Sequence, residues 1–375
     1  MNNQHIIVHK NFRGKPSNIQ LTDNFVKLLR NYLSSYHRVF IVRGEHSYVD
    51  CGAADFMSQV QQVTSCEYYH FTSFARNPKQ EDAIVGVQEM IAYNADIIIA
   101  IGGGSAMDVA KLIRYYSQQP IPLIAIPTTA GTGAESTQFA VCYVDGIKTS
   151  IDHPSILPDI ALLISEFTMS GNQYLTATCG FDAFAQAVEA YWNIHATEES
   201  DLYAEEALVL LTSLLYRFAE EPVSCMNNKQ WRDQMLVGAN LSGQAINITR
   251  TTAPHAMSYV LTSKYNYPHG HAVALTFPFW AKLNMECTKE EYMGQDHERY
   301  REKMKWLRKC LNLRETQDIE ESLRLFMHRL ALGYDKNRHI DPNVVAKSVN
   351  MQRAGNNPHV LSDGILLQAA EAIIK

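Results

Sequence analysis

The sequence predicts an α/β domain, a parallel sheet flanked by helices, followed by an all-α domain. Three observations predict it. Over roughly the first 165 residues, short β-branched apolar runs alternate with helical patterns, the rhythm of parallel βαβ units. From about Phe167 onward the hydrophobic period changes to that of helices and strand candidates become few. The chain, 375 residues with 46% hydrophobic content, is also long enough to bury two cores. The expected division is residues 1–165 as the α/β domain and 166–375 as the helical domain, with composition shifting near Leu157–Asp159.

The clearest strands are Arg38–Val42 (RVFIV), Asp96–Ile101 (DIIIAI) and Pro122–Ile126 (PLIAI). Each stops at a turn or glycine signal, so loops gather at the carboxyl ends of the strands, where open α/β sheets place their ligands. Tyr203–Phe218 and Trp231–Ile246 carry the plainest helical pattern of the second half. Composition narrows the partners. The 33 basic and 39 acidic residues give a net charge of -6, and no dense Lys/Arg block is present, so no nucleic-acid partner is expected. No stretch approaches about 18 uninterrupted apolar residues, and MNNQHIIVHKNFRGK lacks the pattern of a secretory leader, so no membrane association is expected. Seven cysteines, scattered and without a CxxC pair, fit free thiols in a reducing compartment. A cytoplasmic protein is expected.

Gly102, Gly103, Gly104 and Ser105 follow DIIIAI directly and open the helical AMDVAKLIRYY. Glycines allow close backbone approach, Ser105 can cap the new helix, and the free N–H groups at its start attract a pyrophosphate. Asp108 either belongs to this cradle or completes a capping box with Ser105. The loop Pro127–Glu135 (PTTAGTGAE) supplies the hydroxyls of Thr128, Thr129 and Thr132. It either touches the same cofactor or is an ordinary Gly/Thr loop.

The second constellation begins in GFDAFAQAVEAYW, where Asp182 and Gln186 share a helical face at i and i+4. A carboxylate in so apolar a helix needs a partner, and a cation would be one. The plainer alternative makes Asp182 a helix cap after Gly180. His255 follows Pro254 at the start of a helix, and His269 stands in the loop PHGH before AVALTF. An Asp and two His suit Zn(II) or Fe(II) with a coordination position left open. Such an ion polarises a substrate carbonyl, while a nicotinamide exchanges the hydride.

In order along almost the whole chain, GGGSAMDVAK, PTTAGTGAE, GFDAFAQAVEAY, the His255 to His269 segment with PHG, and RAGNNP resemble the iron-containing (group III) alcohol dehydrogenase family. The resemblance implies an architecture shared with dehydroquinate synthase, bound NAD(P) and a divalent metal, a small aldehyde or alcohol substrate, and a homodimer or larger homo-oligomer. It implies Asp182, Gln186, His255 and His269 as the metal-ligand positions. Two of its usual histidines are replaced. Gln186, a weaker ligand, stands at one. Tyr259 stands at the other, near where the nicotinamide is expected, and becomes a candidate proton donor, with His271 as an alternative.

NAD-preferring relatives usually carry an Asp after the second strand, where this chain has Arg43, Gly44 and Glu45. A guanidinium in place of that carboxylate tilts the expectation slightly toward NADP, with Glu45 opposing it. Arg250, five positions before His255, can form bidentate bonds to a phosphonate or carboxylate, or simply a salt bridge. The variant motifs resemble a subgroup that includes phosphonoacetaldehyde reductases and the oxidase acting at C8 of 3-deoxy-manno-octulosonate. Reduction of phosphonoacetaldehyde to 2-hydroxyethylphosphonate is therefore the expected reaction. A cyclase or lyase of the dehydroquinate synthase type would want more cations than the single Arg250 in Ser242–Pro254. A degenerate cofactor-binding protein is the remaining alternative, motivated by Gln186 and Tyr259.

Overall fold

The computed structural model describes residues 6–10, 16–20 and 24–375; of the N-terminal segment read above, 1–5 and 11–15 lie outside it. Two compact units divide the chain, Met1–Gly171 and Asn172–Lys375. The first contains β1 (Ile6–Lys10), β2 (Pro16–Gln20), α1 (Phe25–Leu33), β3 (Arg38–Arg43), α2 (Ser47–Asp50), α3 (Ala53–Gln62) and β4 (Glu67–Phe71). It continues with α4 (Gln80–Ala92), β5 (Ile97–Gly102), α5 (Gly104–Ser117), β6 (Leu123–Pro127), β7 (Phe139–Val144), β8 (Ile147–Asp152) and β9 (Ile160–Leu162). The main sheet runs β1-β2-β9-β6-β5-β3-β4, antiparallel only between β1 and β2, while β7 and β8 form a separate hairpin.

The three strands expected from sequence are β3, β5 and β6, and each ends one residue later than read. The residues taken for the start of a turn still pair, Arg43 with Ile101 and Gly102 with Pro127. Alternation along β5 explains its unbroken apolar run. Ile97, Ile99 and Ile101 pack with Leu29 and Leu33 of α1 and Met57 and Val60 of α3. Ile98 and Ala100 pack with Met90 of α4 and Val109 and Ile113 of α5. A strand covered on both faces has no polar side to show. With register fixed in this way, the ends of β3, β5 and β6 lie level.

The second unit comprises α6 (Gln173–Trp192), α7 (Glu198–Glu220), α8 (Pro222–Met226), α9 (Lys229–Thr249), α10 (Ala253–Ser263) and α11 (His269–Met285). After these come α12 (His297–Cys310), α13 (Ile319–Arg329), α14 (Pro342–Lys347), α15 (Met351–Ala354) and α16 (Asp363–Ala372). Its only β pairing among the described residues is the isolated bridge of Tyr292 with His359. Asn172 starts α6 by accepting from the Leu175 N–H, and almost every residue from Thr176 to Trp192 is buried. A helix apolar on nearly all sides belongs in an interior, and α6 packs against α7, α9 and α11. Among the described residues no helix is long and apolar enough to cross a membrane.

Candidate metal centre and cofactor cradle

Three helices bring the Asp and two His together. Asp182 lies in the middle of α6, so it is not a cap; Asn172 has that role. His255 is in the first turn of α10, and His269 opens α11 rather than standing in the loop, because Pro268 takes the N-cap position. His255 Nε2 is 3.1 Å and His269 Nε2 3.8 Å from Asp182 Oδ1. One donor atom from each residue falls within 4.8 Å of the others. Gly270 permits this approach. A Cβ there would sit 2.0 Å from the Thr178 carbonyl oxygen and 3.1 Å from Asp182 Cβ.

The charges fit a divalent ion. Asp182 is 3% exposed, and burial pushes its pKa up, but His269, His255 and Gln186 outweigh that and hold it below the ordinary carboxylate value. Glu189, which the motif reading passed over, is fully buried on the same helix. Its Oε1 faces His255 Nδ1, and its Oε2 accepts from the Thr252 N–H at 2.6 Å and the Thr252 hydroxyl at 2.9 Å. Burial acts to lower the His255 pKa, yet Glu189 and Asp182 hold it up at about 9. Two buried carboxylates face two imidazoles, and neither forms a salt bridge to a lysine or arginine among the described residues. That donor set and charge suit Zn(II) or Fe(II). Glu189 was findable in the sequence, seven residues beyond Asp182 and so two turns along one face.

The remaining candidates are placed as follows. Gln186 is buried beside Asp182. Its Oε1 accepts from the Ser242 hydroxyl at 3.3 Å while its side chain hydrogen-bonds Asp182, so in this arrangement the amide nitrogen faces the carboxylate. The Tyr259 ring stacks on His269 with centroids 6.3 Å apart. Burial raises the phenol pKa and the Arg353 guanidinium opposes the rise. His271 Nε2–H donates to the Gly333 carbonyl at 2.9 Å, which leaves Nδ1 to accept from the Tyr174 hydroxyl at 2.7 Å. Both of its nitrogens are engaged. Arg250, at φ +67°, turns its guanidinium back onto the last carbonyls of α9, donating to Ile246 at 3.3 Å and to Asn247.

In the first unit α5 begins at Gly104 with Gly103 as N-cap, two residues before the expected cap Ser105. The Ser105 hydroxyl therefore donates to the Arg76 carbonyl, and no side chain caps the helix. Uncapped N–H groups at a glycine turn are suited to a phosphate. The Thr loop lies directly beside them. Thr128 N–H donates to the Gly102 carbonyl at 3.0 Å. A Cβ on Gly103 would approach Thr129 Oγ1 at 3.5 Å, and one on Gly104 would approach Thr132 Cγ2 at 3.3 Å.

Asp108 closes no capping box with Ser105. Burial pushes its pKa up to about 7, against the pull of Lys111. Lys111 is fully buried and donates to Thr137 Oγ1 at 2.9 Å and the Phe139 carbonyl at 3.0 Å, tying α5 to the segment after the Thr loop. Arg43, at the end of β3, donates from Nε to His70 Nδ1 at 3.0 Å and from Nη1 to the Gly44 carbonyl at 3.3 Å. Its guanidinium lies 4.5 Å over the Tyr48 ring, and no carboxylate pairs with it among the described residues.

Comparison with known proteins finds a matching family model for each unit. Residues 16–165 match the model of iron-containing alcohol dehydrogenase, and residues 176–337 match that of the Fe-containing alcohol dehydrogenase family, C-terminal. Long-chain-alcohol dehydrogenase 1 of Geobacillus thermodenitrificans is 32% identical over 261 residues, 64% of this chain and 65% of that protein. Phosphonoacetaldehyde reductase of Streptomyces viridochromogenes is 30% identical over 225 residues, 53% of this chain and 56% of that protein. The chain thus spans less than two thirds of the length of these curated relatives. The crystal structure of the iron-containing alcohol dehydrogenase of Thermotoga maritima superposes with a TM-score of 0.77 at 25% identity, covering 95% of this chain and 98% of that one. With one family model matched in each unit, the chain belongs to the iron-containing alcohol dehydrogenase family.

Proposed function

We propose that the protein is a metal-dependent, NAD(P)-linked reductase of a small anionic aldehyde, with phosphonoacetaldehyde to 2-hydroxyethylphosphonate as the specific reaction. The observation that carries the reading is the buried trio of Asp182, His255 and His269. A divalent ion there, Fe(II) or Zn(II), would supply Lewis acidity toward the carbonyl oxygen. A nicotinamide cofactor would supply the hydride, NADPH slightly favoured over NADH because Arg43 stands where a carboxylate would repel a 2'-phosphate. Gly102, Gly103, Gly104 and Ser105, with Asp108, Thr128, Thr129 and Thr132, cradle its phosphates, and Gly44 lies beside its ribose.

Within the chain itself, Tyr259 is the proton donor to the product alcohol. Burial keeps its phenol protonated at neutral pH, whereas the nitrogens of His271 are already engaged. Gln186 holds Asp182 in place or contributes a weak fourth ligand. An anionic substrate is supported by the phosphonoacetaldehyde reductase among the relatives and by the Arg353 guanidinium near Tyr259; Arg250, five residues before His255, would have to leave the Ile246 and Asn247 carbonyls to join it. The protein acts in the cytoplasm as a homodimer or larger homo-oligomer.

A panel of neutral, carboxylated and phosphonylated aldehydes tests this, assayed with NADH and NADPH on the metal-loaded enzyme and on Arg250→Ala. Anionic aldehydes should be preferred, with the preference reduced in the variant. Equal rates for neutral and anionic aldehydes would sink the anionic substrate, and tight NAD binding without net oxidation or reduction would point to a cyclase instead.

A further inference from the structure

Glu189 lies two turns after Asp182 on α6, is fully buried, and among the described residues has Thr252 and His255 as its hydrogen-bond partners. The two Thr252 donors both go to Oε2, leaving Oε1 to His255 Nδ1. Thr252 is itself held from behind, its Oγ1 accepting from Trp192 Nε1 at 2.9 Å. A buried carboxylate without a lysine or arginine is costly unless a cation lies close by.

We propose that Glu189 is a positioning residue for the metal: it accepts the His255 Nδ1–H, fixes the tautomer whose Nε2 carries the free lone pair, and adds its charge to the site through the imidazole. The inference rests on the reading that Asp182, His255 and His269 hold a divalent ion. Anchoring α10 through Thr252 alone would not need the arrangement seen. That anchor uses one oxygen, an amide oxygen would serve as well, and burying a full negative charge would bring nothing. A divalent ion makes sense of the charge. Asp182 neutralises half of it directly and Glu189 the other half at one remove, so no lysine or arginine is required. Carboxylates behind metal-bound histidines orient the ring and raise its basicity, and their loss typically weakens metal binding about 10- to 100-fold.

The test uses cobalt(II) and zinc(II) as probes on the full chain stripped of metal, with affinity measured by chelator competition. Glu189→Gln should bind both ions about 10- to 100-fold more weakly than wild type. Thr252→Val, which removes a contact to the same carboxylate but leaves His255, should stay closer to wild type even where its melting temperature falls. Cobalt-loaded wild type should also show a hyperfine-shifted His255 ring N–H that exchanges slowly with solvent, a signature readable even if Glu189→Gln does not fold. Wild-type affinity in Glu189→Gln, an equal loss in Thr252→Val, or absence of that N–H signal overturns the proposal for Glu189 alone. Failure of wild type to take up either ion overturns the metal reading and this inference with it.

Discussion

Arg43 reaches the end of β3 with its guanidinium already oriented, stacked on Tyr48 and donating to a neutral imidazole instead of a carboxylate. A 2'-phosphate is an anion it can accept without first breaking a salt bridge. Arg43→Ala should therefore weaken NADPH binding by about 1.5–3 kcal/mol, the range for a hydrogen bond to a charged group, which is roughly 10- to 100-fold. NADH should change little, and titration of both cofactors by nicotinamide fluorescence would reveal an equal loss if Arg43 does not meet that phosphate.

His70 gives this pair a pH dependence. Burial and Arg43 both lower its pKa from the ordinary 6.5. A depressed folded value means its contribution to stability is present above about pH 6.5 and lost as pH falls through the lower folded pKa. The melting temperature of wild type relative to His70→Gln, which can accept the same bond without titrating, should accordingly decline from pH 7 to pH 5. A constant difference would remove His70 from that role. Arg43 was legible in the sequence through the carboxylate it replaces. His70 was not, because only the β3–β4 register, with Ile41 opposite His70, brings it alongside.

At the scale of elements, the crossing of α6 and α11 places His269 against Asp182, and Gly270 sets how close they come. In Gly270→Ala the added Cβ meets backbone, which cannot rotate away, so the helices must separate. A loss of about 1–3 kcal/mol or more in chemical denaturation is expected for overpacking of this kind, together with weaker zinc binding. An unchanged denaturation midpoint would show that the crossing adjusts freely. The central strands were readable because two-sided burial leaves an unbroken apolar run. Their last residues were not, since pairing across Gly102 and Pro127 depends on the neighbouring strand. The β7–β8 hairpin escaped notice although Asp145 and Gly146, at φ 52° and 77°, form a characteristic Asp-Gly turn between its strands. The cap of α5 lies two residues before Ser105, at Gly103, and α11 already begins at His269 after Pro268, each without a side-chain cap.

At the scale of the whole molecule, candidate metal donors lie in one unit and the phosphate cradle in the other. Hydrogen exchange should separate them. Zinc should slow exchange in α6, α10 and the start of α11, and NADPH should slow it around residues 102–105 and 128–132, because each ligand stabilises the state that binds it. Protection by zinc around 102–105 without matching protection in α6 would contradict the assignment of the donors. The order of motifs made this division of labour readable from the sequence, since each lies within one unit. The supporting residues Lys111 and His70 were hidden because their roles arise only from contacts across elements.

The donors share one further property: each stands on a helix, Asp182 on α6, His255 on α10 and His269 on α11. Asp182, His255 and His269 offer donor atoms within 4.8 Å of one another. First-row metals would compete for such a donor set by intrinsic affinity and by supply. The metal recovered with the purified protein will report the medium the cells grew in, and reconstitution with several ions in turn will reveal which one the chemistry requires.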